Sequence, residues 1–157
     1  MLREGSYELK GLTVMSFDFG LKRIGIAVGQ TATNSSRPLT TINAKSGRPD
    51  AVALKRILDE WKPELAIVGQ TYSSTPDTQT PRSSDQSSNR RFSRSCKAFI
   101  KLLQSQHALR VTVIDEALTT SAANRSLAEQ GVKAHNRTGL RDQYAAMEIL
   151  TTWMNEQ

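Results

Sequence analysis

The stretch LTVMSFDFGLKRIGIAVG, residues 12–29, decides how the rest of the chain is read. Leu12 to Phe19 is a short, apolar, β-prone run, and Ile24 to Val28 is a second one. Only Gly20, Leu21, Lys22 and Arg23 lie between them, so the two runs read as strands of a β-hairpin. Asp18 breaks the apolar pattern of the first run. An unpaired carboxylate there would be costly, so Asp18 is expected to face a partner or a metal.

Working outward, Arg37 to Ala44 reads as a third strand, with Pro38 at its start or on an edge. Asp50 opens a helix in which Ala51, Leu54, Leu58 and Trp61 recur at three and four residues, with Val52 and Ile57 widening the stripe and Pro63 closing it. Leu65 to Val68, bounded by Gly69, reads as a strand buried on both faces, as in a mostly parallel sheet. Gln70 to Asn89 has almost no apolar content beyond Tyr72 and reads as a long mobile loop. Phe92, Cys96, Phe99 and Leu103 then mark the apolar stripe of a second helix, and Val111 to Ile114 another strand, with Asp115 and Glu116 at its end. Thr119 or Thr120 is expected to cap a further helix that ends at Gly131. The last helix is expected from about Gly139 to Trp153, with Leu140, Tyr144, Met147 and Leu150 on its apolar face. A hairpin start followed by alternating helices and strands predicts a mixed α/β three-layer fold.

The 157 residues are the usual size of one domain, expected here over residues 1–157 with the polar loop at about 70–89. The one cysteine, Cys96, allows no intramolecular disulfide. The opening residues lack the apolar run of a signal peptide, and no stretch approaches the roughly 20 apolar residues that span a bilayer. A cytoplasmic protein without a membrane partner is therefore expected. The formal charge of +6 raises the expectation of a polyanionic partner. Nothing in the sequence specifies an oligomeric state.

Three carboxylates sit where chemistry gathers. Asp18 lies in an apolar strand. Glu116 lies at the carboxyl end of a buried strand, where ligand sites of open α/β sheets form. Asp142 lies in the expected first turn of the last helix, beside Ala145 and Ala146, whose small side chains allow close approach to the sheet. Each also has a purely structural reading, as a turn cap, a helix cap, or a favourable charge at a helix start. If the three converge, their repulsion must be neutralised, and hard oxygen ligands select magnesium or manganese. Such ions can activate water for phosphodiester cleavage. Asp115 is left as an outer acid.

DFGLKRIGIAVGQ, residues 18–30, resembles the signature of the YqgF (RuvX-type) family, a strand ending in Asp-x-Gly-x-Lys-Arg-Ile-Gly-x-Ala, matched here by Asp18, Gly20, Lys22, Arg23, Ile24, Gly25 and Ala27. The resemblance continues at WKPELAIVG (61–69), IDEALTT (114–120), EQG (129–131) and DQYAAMEIL (142–150), so it covers nearly the whole chain. Members are described as Holliday-junction-resolvase-like proteins and as pre-16S rRNA nucleases. The resemblance implies a ribonuclease-H-like fold, with a mixed five-stranded sheet and helices on both faces. It carries the family's acids onto Asp18, Glu116 and Asp142 as metal-binding catalytic residues. Three features depart from the pattern: Ala117 stands where the family usually has Arg, Gln143 where it has Ser, and the polar stretch after Gly69 replaces the family's Gly-Leu-Pro-Leu-Asn-Met-Asp-Gly-type loop.

Arg90, Arg94, Lys97 and Lys101, with Arg91 beside them, form a basic helix stripe that can track a phosphate backbone or simply be solvated. Lys22 and Arg23 stand beside Asp18. His107, His135 and Cys96 lack zinc-ligand spacing. The leading expectation is thus a magnesium- or manganese-dependent endonuclease acting on pre-rRNA, with ribosomal precursor particles as partners. The alternatives are a resolvase-like nuclease acting on branched DNA and a nucleic-acid-binding protein with weakened catalysis. An actin-like ATPase, which also begins with an Asp-x-Gly hairpin, would need a second such half that this chain lacks.

Overall fold

The computed structural model describes residues 11–70, 83–115 and 137–157. In chain order these form β1 (Thr13–Asp18), β2 (Arg23–Gln30), β3 (Ser35–Lys45), β4 (Arg48–Pro49), α1 (Ala51–Trp61), β5 (Leu65–Gln70), α2 (Ser83–Gln106), β6 (Arg110–Asp115) and α3 (Arg137–Asn155). The sheet order is β4-β3-β2-β1-β5-β6. β1 to β4 are joined antiparallel, whereas β5 runs parallel to both β1 and β6. Six strands stand where five were expected, because the two residues of β4 pair with Ala44 and Lys45.

Strand alternation sorts the core into two layers. Met15 and Phe17 of β1, Ile24 and Ile26 of β2, and Ala66 and Val68 of β5 face α1 and α2, where Leu54, Leu58, Cys96, Phe99 and Leu103 meet them. Phe17 and Phe99 pack edge to face with ring centroids 5.4 Å apart. Val14, Leu65 and Ile67 face the other way and are covered by Ile149, Leu150, Trp153 and Met154 of α3. Helices therefore cover both faces of a mixed sheet, as the resemblance implied.

Several boundaries differ from the sequence reading for identifiable reasons. Pro38 lies inside β3 rather than at its start, on the edge that β4 leaves uncovered among the described residues by pairing only with Ala44 and Lys45. The ladder shifts register there, Ile26 pairing with Thr40 and Ala27 with Pro38, so the residue that cannot donate sits at a bulge. Helix α2 begins at Ser83, so the last seven residues of the expected loop are helical, while residues 71–82 lie outside the described residues. A lack of apolar residues does not forbid these turns, because once the Phe92–Leu103 stripe has nucleated the helix, each added residue gains a backbone hydrogen bond. Val52 is 68% exposed and does not belong to the buried stripe of α1, which rests on Leu54 and Leu58. The helix expected between Thr119 and Gly131 also lies outside the described residues.

The seating of α3 corrects its expected apolar face. Ala145, Ala146, Ile149, Leu150 and Trp153 are buried, whereas Leu140, Tyr144 and Met147 are only partly so. The face is set by glycines on the sheet. A Cβ at Gly25 would stand 2.0 Å from the Asp142 carbonyl oxygen, one at Gly69 would stand 2.1 Å from Ile149 Cδ1, and one at Gly29 would stand 2.9 Å from Leu150 Cδ2. The helix backbone thus lies directly on the strands, and the Ser16 hydroxyl, fully buried, donates a hydrogen bond to the Ala146 carbonyl. Gly25→Ala is expected to destabilise the protein by at least about 2 kcal/mol, since the clash is with backbone that no rotamer can relieve. Gly139→Ala, whose Cβ would meet only Thr41 Oγ1 at 3.9 Å, is expected to be neutral or mildly stabilising in this helix. Urea denaturation of both variants checks the pair.

Candidate functional site

Asp18 is the last residue of β1, and strand alternation turns it, like Val14 and Ser16, toward α3. Its partner in the β1–β2 ladder is Gly25, the residue over which the Asp142 backbone closes. The hairpin register and the missing side chain at Gly25 therefore bring the two acids to one place. Both line a cavity of about 370 Å³ together with Lys22, Arg23 and Arg141. Phe92, packed edge to face on Phe19, also lines it.

The acids are held differently. Asp142 is anchored: its Oδ2 accepts a hydrogen bond from Arg23 Nε at 2.9 Å, and its side chain is 15% exposed. Asp18 is not. Its Oδ1 is buried and has no hydrogen-bond partner among the described residues. Burial, reinforced by the Asp142 charge and partly offset by Arg141, pushes the Asp18 carboxyl up to about 7. A buried carboxylate oxygen without a donor, next to a second carboxylate fixed by an arginine, fits a hard cation bound by oxygen.

The sequence-predicted residues divide as follows. Asp18, Asp142, Lys22 and Arg23 come together. Asp142 lies one turn inside α3, which starts at Arg137, so it does not serve the helix start as its purely structural reading required. Glu116 and Ala117 lie outside the described residues; Asp115 ends β6. Arg90, Arg91 and Arg94 line a second, larger cavity, whereas Lys97 and Lys101 are exposed and line neither cavity. Arg141 was missed. Its signal was its place directly before Asp142, but its action on Asp18 depends on a helix–sheet distance that the sequence does not reveal.

The mixed sheet with helices on both faces is a ribonuclease-H-like fold. The family model described as "RuvX: Holliday junction resolvase" matches residues 12–156, and the chain belongs to that family. A relative from Coxiella burnetii (strain Dugway 5J108-111), named "Putative pre-16S rRNA nuclease", is 35% identical over 148 residues, covering 94% of this chain and 96% of the relative. A relative of the same name from Nitrosococcus oceani is 38% identical over 144 residues, covering 92% of this chain and 87% of its own length. Among solved structures, RuvC of T. thermophilus in complex with Holliday junction substrate has a TM-score of 0.54 at 14% identity, covering 92% of this chain and 94% of that one. The fowlpox virus Holliday junction resolvase has a TM-score of 0.52 at 14% identity, covering 93% of this chain and all of that one. At such identities the likeness is one of fold.

The raised Asp18 value has a consequence for stability. Between about pH 4 and 7 the folded chain holds a proton at Asp18 that the unfolded chain releases, so this group destabilises the fold progressively as pH rises. In chelator, Asp18→Asn is expected to be more stable than wild type at pH 8, by about 4 kcal/mol at most. The gap should close as the pH falls toward 4. Thermal melts across that range decide it, and a gap that does not change with pH contradicts the assignment.

Proposed function

We propose that this chain is a metal-dependent endonuclease that cleaves phosphodiester bonds in structured nucleic acid, with precursor 16S rRNA as its substrate and magnesium, or manganese, as its cofactor. The observation that carries this reading is the buried Oδ1 of Asp18, without a partner among the described residues, beside the anchored carboxylate of Asp142. Asp18 and Asp142 hold the ion, and Glu116 is the third ligand. Support for Glu116 comes from its place in the sequence: Asp18, Gly69 and Ile114 lie side by side across parallel β1, β5 and β6, and Glu116 follows Ile114 by two residues in the chain. When bound, the ion supplies Lewis-acid stabilisation and lowers the pKa of a coordinated water.

The chain's own residues do the rest. Arg23 fixes Asp142, so the carboxylate geometry is set before substrate arrives. Arg141 limits the charge that builds up at Asp18. Lys22, exposed at the rim, meets an incoming phosphate. The names of the relatives support rRNA processing, which would place the protein in the cytoplasm with ribosomal precursor particles as partners. The description of the family favours a second reading, branched DNA.

Labelled pre-rRNA and four-way-junction DNA, incubated side by side with magnesium, manganese or chelator, test both. Wild type is expected to cleave the RNA with either metal and not with chelator. Asp18→Asn is expected to lose several orders of magnitude in rate while keeping most of its binding, because the loss is of the metal and not of the phosphate contacts. Cleavage of the DNA alone favours the second reading. Wild-type binding without cleavage of either substrate establishes the alternative of a binding protein with weakened catalysis.

A further inference from the structure

A groove of about 1370 Å³, larger than the acid pocket, runs between the β3–β4 hairpin and the first half of the described α2 side chains. The hairpin turns on Ser46 and Gly47, with φ of 51° and 84°. Positive φ at both central residues of a two-residue loop is the type I′ geometry that matches strand twist. Lys45 and Arg48 flank the turn as directly opposed ladder partners. Like charges directly opposed in a ladder are destabilising, so this pair does not serve the hairpin. The hairpin is nevertheless held firmly in place. The Gly47 amide donates to the Leu21 carbonyl and the Ala44 amide to the Lys22 carbonyl, both at 2.9 Å, and a Cβ at Gly47 would strike Ser95 Cβ of α2 at 2.6 Å.

Across the groove stand Arg90, Arg91 and Arg94. Those three, Lys22, Lys45 and Arg48 are all exposed, and none forms an ion pair among the described residues. The one acid in the lining, Asp50, is engaged as the cap of α1, accepting the Val52 and Ala53 amides. Lys22 lines both this groove and the acid pocket, so the two are contiguous. Among the described residues no aromatic side chain lines the groove. Unpaired bases are held by aromatic stacking platforms, whereas cationic walls without them suit a phosphate backbone whose bases are stacked within a duplex.

We propose that this groove holds the double-helical arm of the substrate RNA, gripping its phosphate backbone between Lys45 and Arg48 on one wall and Arg90, Arg91 and Arg94 on the other. The arm continues past Lys22 to the acid pocket. The proposal rests on the nuclease reading for the identity of the polyanion. It divides the basic stripe of α2: the arginines belong to the groove, and Lys97 and Lys101 do not.

The test is fluorescence anisotropy of an RNA hairpin and a single strand of equal length, with chelator present so that cleavage plays no part. Three full-length proteins are compared: wild type, Lys45→Gln/Arg48→Gln, and Lys97→Gln/Lys101→Gln, the last removing the same charge from outside the groove. The groove variant is expected to bind the hairpin at least tenfold more weakly, with a salt slope shallower by about 2. Its single-strand affinity should change less. The Lys97/Lys101 variant should bind the hairpin as wild type does, and all three should melt alike. Equal losses in both variants, an unchanged salt slope in the groove variant, or equal losses on hairpin and single strand each overturn the proposal. Failure here with metal-dependent cleavage intact refutes the groove alone, and groove binding without cleavage refutes the nuclease reading alone.

Discussion

Helix α3 lies on the sheet with no room for a side chain beneath it. Gly25 takes the helix backbone at Asp142, Gly29 and Gly69 take the side chains of Leu150, Met154 and Ile149, and Ala145 and Ala146 are the small buried residues on the helix. Close packing of this kind tolerates little volume change. It also sets the chemistry, because Gly25 is the ladder partner of Asp18 and the contact point of Asp142. Had the helix stood off by the width of a methyl group, Asp18 would face water and Asp142 would lie away from it. The position of the acids is therefore a consequence of core packing, and the burial of the Asp18 oxygen, which has no donor among the described residues, follows from the same geometry.

Charge is distributed around this contact in two unlike ways. In the acid pocket each carboxylate is partly compensated, Asp142 by the Arg23 hydrogen bond and Asp18 by the field of Arg141. Compensation is incomplete at Asp18, where burial dominates. In the groove the cations are left without anionic partners among the described residues. One region thus keeps a buried carboxylate oxygen with no donor among the described residues, and its neighbour holds cations without anionic partners among them, with Lys22 between the two. A phosphate backbone delivered to a metal supplies both at once.

Much of this was legible in the sequence. Apolar runs of strand length, the Asp50 cap and the Phe92–Leu103 stripe gave the element order, and Asp18 stood out because a carboxylate does not belong in an apolar strand. What was not legible depends on partners distant in the chain. The buried face of α3 is shifted from its hydrophobic period because glycines far away in the chain decide which side of it fits the sheet. Helix α2 extends through residues with nothing apolar, since propagation of a helix needs no burial once it is nucleated. The isolated dipeptide of β4 has no periodicity to detect, and the Lys45–Arg48 pair becomes visible only when its turn closes. Arg141 reads as an ordinary surface charge until α3 is seated.

The central claim is that Asp18 and Asp142, brought together by this packing, form one divalent-ion site. Direct titration with manganese, followed by electron paramagnetic resonance at pH 8 without nucleic acid, tests it most simply. The account predicts one protein-bound ion in wild type and loss of that binding in both Asp18→Asn and Asp142→Asn, with each variant folded. Undiminished manganese binding in either variant would contradict it.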